Sequence, residues 1–221
     1  PITRLRESVD IIRQLLETGT ARFQGETVTI ENFDLWFRPR RPDLPIYAAA
    51  VFPKMMAVCG EIADGIILTR STLQTGAQVK QCLAEGAALA GRDPGKVEVT
   101  SLLPIAVGDN RQEALDTMRP GLTFYVGFFP RYRQMIADYG FAEETAAAAA
   151  AFAKGDQAGA ERCITDAMID ATSIVGTAGE CRERIEAYGQ SGIDLPIISP
   201  FARGPGSRAT FETVIRACAP G

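Results

Sequence analysis

Residues 45–69 read PIYAAAVFPKMMAVCGEIADGIILT, and this stretch is the clearest indication of the fold class. The apolar run at residues 45–51 predicts a short strand, residues 53–62 predict a helix, and GIILT at residues 65–69 predicts a second strand. Both strands are apolar throughout and do not alternate between apolar and polar residues. That pattern is typical of parallel strands that helices cover on both faces.

The alternation of strand and helix continues along the chain. Further strands are predicted at residues 97–107 and 195–199, and helices at 2–18, 75–90, 110–118, 177–188 and 208–218. ARFQGETVTI, residues 21–30, predicts a small hairpin around Gln24 and Gly25. Residues from about 119 to 172 break the rhythm, since they are helical and rich in alanine. We predict that they form a helical insertion between the third and fourth core strands.

Four core strands are half the number that a (β/α)8 barrel requires. Such a barrel has eight strands and typically about 250 residues, and an open half would leave two unpaired sheet edges. The sequence therefore predicts an α/β fold of the (β/α)8 TIM-barrel type, with the C-terminal half of the barrel present and the first strands absent. Residues 1–221 form one domain in this interpretation. The chain is then a gene fragment, a processed chain or a subunit completed by another copy.

The composition excludes several classes of function. A net charge of −4 offers no attraction to nucleic acid or to an anionic membrane surface, and no apolar run approaches the ~18 residues that span a bilayer. The five cysteines lack the spacing of metal ligands, which favours reduced thiols in a cytoplasmic protein. Because the chain has no histidine, it has no histidine acid, base or metal ligand, and we expect no metal site.

The start of the helix at Pro53 is a candidate binding site. Proline suits the first position of a helix, so the sequence predicts unpaired N–H groups on Lys54, Met55 and Met56. Such amides bind phosphate groups, the Lys54 ammonium adds positive charge, and the small Ala50 leaves room for a flat ring. The alternative is a tightly packed strand, with both methionines filling the core.

A second candidate site follows the strand at residues 65–69. Thr69, Arg70 and Ser71 come at its carboxyl end, where α/β proteins bind ligands. They are candidates for contact with a substrate or with the tail of a cofactor, and the alternative is a solvated loop. Ser199 and Phe201, after the last predicted strand, are weaker candidates.

Several segments carry a resemblance to one family. They are LRESVDIIRQLLETG, FQGETVTIENF, the stretch quoted at the outset, EGAALAGRDPGKVEV and IVGTAGECRERIEAYGQSGIDLPIISP. In this order and spacing the chain resembles the C-terminal part of the bacterial luciferase-like monooxygenase superfamily. Within it, the chain is most similar to the F420-dependent branch typified by methylenetetrahydromethanopterin reductase.

The resemblance implies a metal-free barrel that binds the deazaflavin coenzyme F420, or alternatively FMN. It implies hydride transfer to or from a small organic substrate, with homo-oligomers common among family members. The implied cofactor-binding residues are Ala50, Phe52, Pro53, Lys54, Met55 and Met56, and the implied substrate-binding residues are Thr69, Arg70 and Ser71. Family members often have Gly before this proline, so Phe52 is a departure that argues against close approach of the backbone to the cofactor. The family's acid–base residues lie mostly on the first four strands, so no catalytic residue is assigned.

Three functions remain open at this point. The first is an F420-dependent oxidoreductase, the second an FMN-dependent monooxygenase, and the third a non-catalytic remnant that binds a flavin or a partner barrel. An acidic F420 tail would favour nearby cations, for which the sequence offers Arg38, Arg40, Arg41, Lys54 and Arg70. The hairpin at residues 21–30 and the aromatic patch near Phe128 are predicted to act as a lid, since excluding water favours hydride transfer. The alternative is ordinary surface packing.

Overall fold

The computed structural model describes residues 1–202 and 206–219. Its helices are α1 (Ile2–Thr18), α2 (Pro53–Ile62), α3 (Thr75–Leu89), α4 (Arg111–Phe128), α5 (Pro130–Ile136), α6 (Ala142–Ala153), α7 (Gln157–Arg162), α8 (Asp166–Thr172), α9 (Ala178–Gln190) and α10 (Ser207–Cys218). A 3-10 turn spans Pro94–Lys96 and a π-helical turn spans Ala137–Phe141.

The strands are β1 (Thr20–Gln24), β2 (Thr29–Asp34), β3 (Tyr47–Ala49), β4 (Gly65–Thr69), β5 (Glu98–Val107), β6 (Ile174–Gly176) and β7 (Leu195–Pro200). The fold divides into two compact units. The first contains residues 1–67 and 79–98, and the second contains residues 68–78 and the described residues from 99 onwards.

In the first unit, a carboxylate from α1 holds the turn of the β1–β2 hairpin. Glu7 is buried, and it accepts hydrogen bonds from the backbone N–H groups of Glu26 at 2.5 Å and Thr27 at 3.1 Å, and from the Thr27 hydroxyl. These bonds stabilise the charged carboxylate and lower the pKa of Glu7, the Thr27 hydroxyl contributing most. The turn is therefore fixed to the helix by an ionised side chain.

Strands β3 and β4 of the first unit run parallel, with Ala48 opposite Ile66. The side chain of Asp64, just before β4, accepts a hydrogen bond from the Ile46 N–H at 2.8 Å. Its carboxylate also pairs with Arg13 at 3.1 Å and Arg92 at 3.5 Å. These contacts fix the amino end of β4, which suits the stabilising role usual for residues at that end of a parallel strand.

Helices α2 and α3 approach each other closely in the first unit because two glycines lie at their contact. A Cβ atom added to Gly86 would lie 1.7 Å from the Ala57 carbonyl oxygen. A Cβ added to Gly60 would lie 2.1 Å from the Leu83 carbonyl oxygen. Neither position has room for a side chain, so backbone packs directly against backbone.

In the second unit, β5 is the central strand and pairs in parallel with β6 and β7 on its two sides. Ile105 lies opposite both Ile174 and Pro200. The helices α4 to α8 cover residues 111–172 and bury apolar side chains such as Met118 and Leu122, both fully inaccessible. Helix α9 then begins with a capping box in which Thr177 and Glu180 bond each other's backbone.

The structure confirms an α/β fold with parallel strands. Most of residues 119–172 are helical, and their role as an insertion between core strands stays a prediction. Two details of the sequence prediction were wrong. The strand expected at 45–51 forms only over Tyr47–Ala49, because Pro45 has no N–H to donate and the chain turns at Phe52 into α2. The short strand β6 was not predicted, since three residues are too few to show a periodicity.

Over residues 1–202 and 206–219, the helices are too short or too polar for any of them to cross a membrane.

Candidate functional site

The segment that follows β4 has an unusual backbone. Arg70 has a φ of 49°, in the left-handed region that bulky side chains rarely adopt. Arg70 and Ser71 are only 2% and 1% exposed, while Thr69 at the end of the strand is partly exposed. All three belong to the predicted substrate-binding set. The alternative of a solvated loop is wrong for Arg70 and Ser71, because both are buried.

The Arg70 guanidinium makes one ring contact and one hydrogen bond, both to residues of the second unit, and has one nitrogen without a partner among the described residues. Its Cζ lies 4.5 Å from the centre of the Tyr125 ring, a cation–π contact. Its Nη1 donates a hydrogen bond to the Ser173 hydroxyl at 3.2 Å. Its Nε is fully buried and has no hydrogen-bond partner among the described residues. Burial disfavours the charged form and lowers the pKa of Arg70 to about 10, so the group remains protonated at neutral pH.

Three hydrogen bonds, two to β5 and one to α9, hold the segment after β4 in place. The Arg70 N–H donates to the Leu102 carbonyl on β5 at 3.1 Å, and the hydroxyls of Ser71 and Ser101 lie 2.9 Å apart. The hydroxyl of Tyr188, on α9, donates to the Ser71 carbonyl at 2.6 Å. Polar residues from distant parts of the chain therefore converge at the carboxyl end of β4.

The aromatic patch forms a continuous cluster on α4 and the start of α5. Phe124 and Phe128 stack with ring centres 5.2 Å apart, and the other members make edge or tilted contacts between 4.9 and 5.7 Å. The cluster consists of Phe124, Tyr125, Phe128, Phe129 and Tyr132. Phe128 is 60% exposed, so one end of the cluster faces solvent while Tyr125 contacts Arg70. Its role as a lid stays a prediction.

Two cavities lie near this site in the second unit. One, of about 410 Å³, is lined by Ser173 and by residues of α4, α8, β6 and α9, among them two arginines and three carboxylates. The other, of about 380 Å³, is lined by the loop at residues 72–74 and by α8 and Arg184. Because carboxylates outnumber cations in the first cavity, its electrostatics do not favour an anion.

The other predicted site, in the first unit, is only partly as expected. Phe52 precedes α2 with an extended backbone, and Pro53 is the first helical residue. The expectation of unpaired amides is wrong for Met55 and Met56, because both N–H groups donate to the Phe52 carbonyl at 3.0 Å. Ala50 and Met56 are buried and Lys54 is exposed. Their contact with a cofactor stays a prediction.

Two of the cations expected to meet an acidic tail already have partners. The Arg38 side chain donates to the Thr18 carbonyl, and Arg41 lies 3.8 Å from the Asp43 carboxylate. Cys59 is buried as predicted, and burial raises the pKa of its thiol to about 11.

Sequence reasoning missed Tyr125, Ser173 and Tyr188 as partners of the segment after β4. Ser173 and Tyr188 lie 103 and 117 residues along the chain from the groups they contact, so no local spacing links them. For Tyr125 the aromatic patch was a visible signal, although it gave no partner.

Parallel strands covered by helices define an α/β protein, and proteins of this class commonly bind ligands at the carboxyl ends of their strands. The chain belongs to the luciferase-like monooxygenase family, whose model matches residues 1–195.

Two methanopterin enzymes are among the relatives. The 5,10-methylenetetrahydromethanopterin reductase of Archaeoglobus fulgidus is 29% identical over 219 residues, covering 97% of this chain and 64% of the relative. The reductase of the same name from Methanopyrus kandleri is 28% identical over 217 residues, with 97% and 61% covered. The chain therefore spans about three fifths of the length of these relatives.

Solved structures of related enzymes match the fold of this chain. The coenzyme F420 dependent tetrahydromethanopterin reductase from Methanopyrus kandleri matches with a TM-score of 0.82 and 26% identity, over 99% of this chain and 62% of that one. An F420-dependent secondary alcohol dehydrogenase in complex with an F420-acetone adduct matches with a TM-score of 0.70 and 21% identity, over 97% and 61%. At that identity, the second match supports the fold alone.

Proposed function

We propose that the protein is an F420-dependent oxidoreductase that transfers a hydride to or from a small organic substrate. The observation that carries the proposal is the similarity to 5,10-methylenetetrahydromethanopterin reductases over 97% of the chain. A putative coenzyme F420-dependent oxidoreductase of Mycobacterium tuberculosis, 23% identical over 222 residues, points to the same cofactor.

We further propose that the parallel strands are the C-terminal half of a (β/α)8 barrel. The match to the Methanopyrus kandleri reductase structure, which covers 62% of that chain, supports this arrangement. In such a barrel the ligand lies at the carboxyl ends of the strands, which is where Arg70 lies in this protein.

The residues present fit an anionic cofactor. The deazaflavin, when bound, supplies the carbon that carries the hydride. Arg70 offers a buried positive charge with an unpartnered Nε, as an anionic tail requires. Lys54, in the first unit, is exposed at the start of α2 and is a separate candidate for contact with a cofactor phosphate. The aromatic cluster can exclude water from a reduced ring, which protects the hydride from loss to solvent.

A fluorescence titration of the purified chain with F420 and, separately, with FMN tests the proposal. We expect saturable, micromolar binding of F420 and much weaker binding of FMN. Lys54→Ala should weaken F420 binding, because it removes a positive charge near the cofactor. Lys96→Ala is the matched control, since it removes an exposed charge from the same unit.

Three other outcomes of the titration would contradict the proposal or replace it. Tighter binding of FMN than of F420 would replace the proposal with the FMN-dependent monooxygenase. Binding of neither cofactor would refute cofactor binding by this chain. F420 binding without any change in F420 absorbance, when candidate alcohols and pterins are added, would favour the non-catalytic flavin-binding protein.

A further inference from the structure

Arg70 is a buried cation with no carboxylate partner among the described residues. In the second unit, Arg111, Arg119 and Arg208 do pair with carboxylates, Arg119 with Asp166 at 2.6 Å. For Arg70, no carboxylate lies within ion-pair distance in residues 1–202 and 206–219, and the side chain is 2% exposed. Burying a charge without a counter-charge is costly. A ligand that supplies the opposite charge would offset this cost.

The contacts of the guanidinium show which of its N–H groups lacks a hydrogen-bond acceptor among the described residues. Ser173 occupies Nη1 at 3.2 Å and the Tyr125 ring covers one face at 4.5 Å. Nε has no partner among the described residues. The edge that carries Nε–H is one of the two edges with which arginine binds carboxylates and phosphates in a bidentate manner. The edge that carries Nε–H therefore has the unused hydrogen-bonding capacity that an oxyanion requires, while the Nε atom itself is shielded from solvent in this structure.

The backbone of Arg70 gives an independent sign of function. A left-handed φ of 49° at a bulky residue costs free energy and persists only where surrounding contacts enforce it. Here the bond to Leu102, the Ser71–Ser101 pair and the Tyr188 hydroxyl enforce it. Strained residues that are held in this way cluster at binding sites.

We propose that Arg70 binds an oxyanion of the ligand, a phosphate or a carboxylate, through its Nε–H edge at the carboxyl end of β4. The identity of the ligand rests on the proposed function, whereas the oxyanion site itself does not. The oxyanion neutralises the buried charge and provides the missing acceptor for Nε. It belongs either to the cofactor, as its phosphate or tail carboxylates, or to the substrate.

A nuclear magnetic resonance titration of the unmodified protein tests the site directly. The ¹⁵N and ¹H signals of the arginine Nε–H groups are followed while sodium phosphate or sodium acetate replaces sodium chloride at constant ionic strength. The Arg70 signal, assigned by its loss in Arg70→Lys, should shift and reach saturation. The signal of Arg208, whose side chain is 92% exposed, should shift only slightly and without saturation. An Arg70 signal that behaves like that of Arg208 would overturn the proposal.

Variants supply the second test. Calorimetry should show that Arg70→Met weakens phosphate binding by about tenfold or more, because a charge-assisted pair is lost. Arg208→Met, which removes the same charge from an exposed position, should leave it unchanged. Equal phosphate affinity in Arg70→Met and the unmodified protein would contradict the proposal. If Arg70→Met does not fold, the titration of the unmodified protein decides.

The source of the oxyanion follows from comparing F420 with the deazariboflavin that lacks the phosphate and the tail. If Arg70→Met weakens binding of F420 but not of the deazariboflavin, the oxyanion belongs to the cofactor. If phosphate binding is lost while both cofactor forms bind normally, it belongs to the substrate. Because the phosphate titration contains no F420, the oxyanion site and the proposed cofactor can fail independently.

Discussion

Replacing Gly86 with alanine tests the close approach of α2 and α3 in the first unit. The new Cβ would lie 1.7 Å from the Ala57 carbonyl oxygen and 2.6 Å from its carbon. These are backbone atoms, so no side-chain rotation relieves the overlap and the helices must separate by more than an ångström. Overpacking of this kind costs about 3 kcal/mol, at the upper end of the usual range, and alanine regains about 1 kcal/mol of helix propensity. We expect a net loss of about 2 kcal/mol in the free energy of unfolding.

Thermal and urea unfolding followed by circular dichroism measure this change. For a chain of this size the melting temperature should fall by about 4–8 °C. Gly189→Ala is the matched control: it also lies in a helix, α9, but an added Cβ there meets no atom within 4 Å. It should stabilise the protein by up to about 1 kcal/mol. An equally stable Gly86→Ala, or an equal loss in both variants, would refute the packing argument.

Three further outcomes follow from buried polar groups. Tyr188→Phe leaves the Ser71 carbonyl without its donor and should cost about 1–3 kcal/mol of unfolding free energy in urea; an unchanged midpoint would contradict this. Burial raises the pKa of Cys59 to about 11 and that of Cys181 to about 12, so mass spectrometry should find both thiols protected from alkylation at pH 8 until the protein unfolds. Labelling at the unfolded rate would show that they are accessible. The pKa of Glu7 is lowered in the fold, so its stabilisation is present above its ordinary pKa and is lost as the pH falls through the folded value. The melting-temperature difference from Glu7→Gln should therefore shrink in acid, and a difference independent of pH would contradict the role given to this carboxylate.

Local chemistry made much of the fold predictable. Helix α1 ends at Gly19, which adopts a φ of 78° and donates its N–H to the Leu15 carbonyl. Such an ending depends on residues within one turn, so the sequence shows it directly. The entry into α2 at Pro53 was predictable for the same reason. The pairing of the Met55 and Met56 amides was not, because it depends on how tightly the first turn winds against Phe52.

The helices, the long apolar strands and the family could be predicted from the sequence alone, because each depends on adjacent residues or on their order along the chain. The position of Arg70 at the end of a strand was predictable too. The packing in three dimensions was needed to show that Arg70 is buried, lies against Tyr125 and has no carboxylate partner among the described residues. The reason is physical: the pKa and hydrogen bonding of a side chain depend on the groups that surround it in space. For Arg70 one of those groups, Ser173, is 103 residues away along the chain.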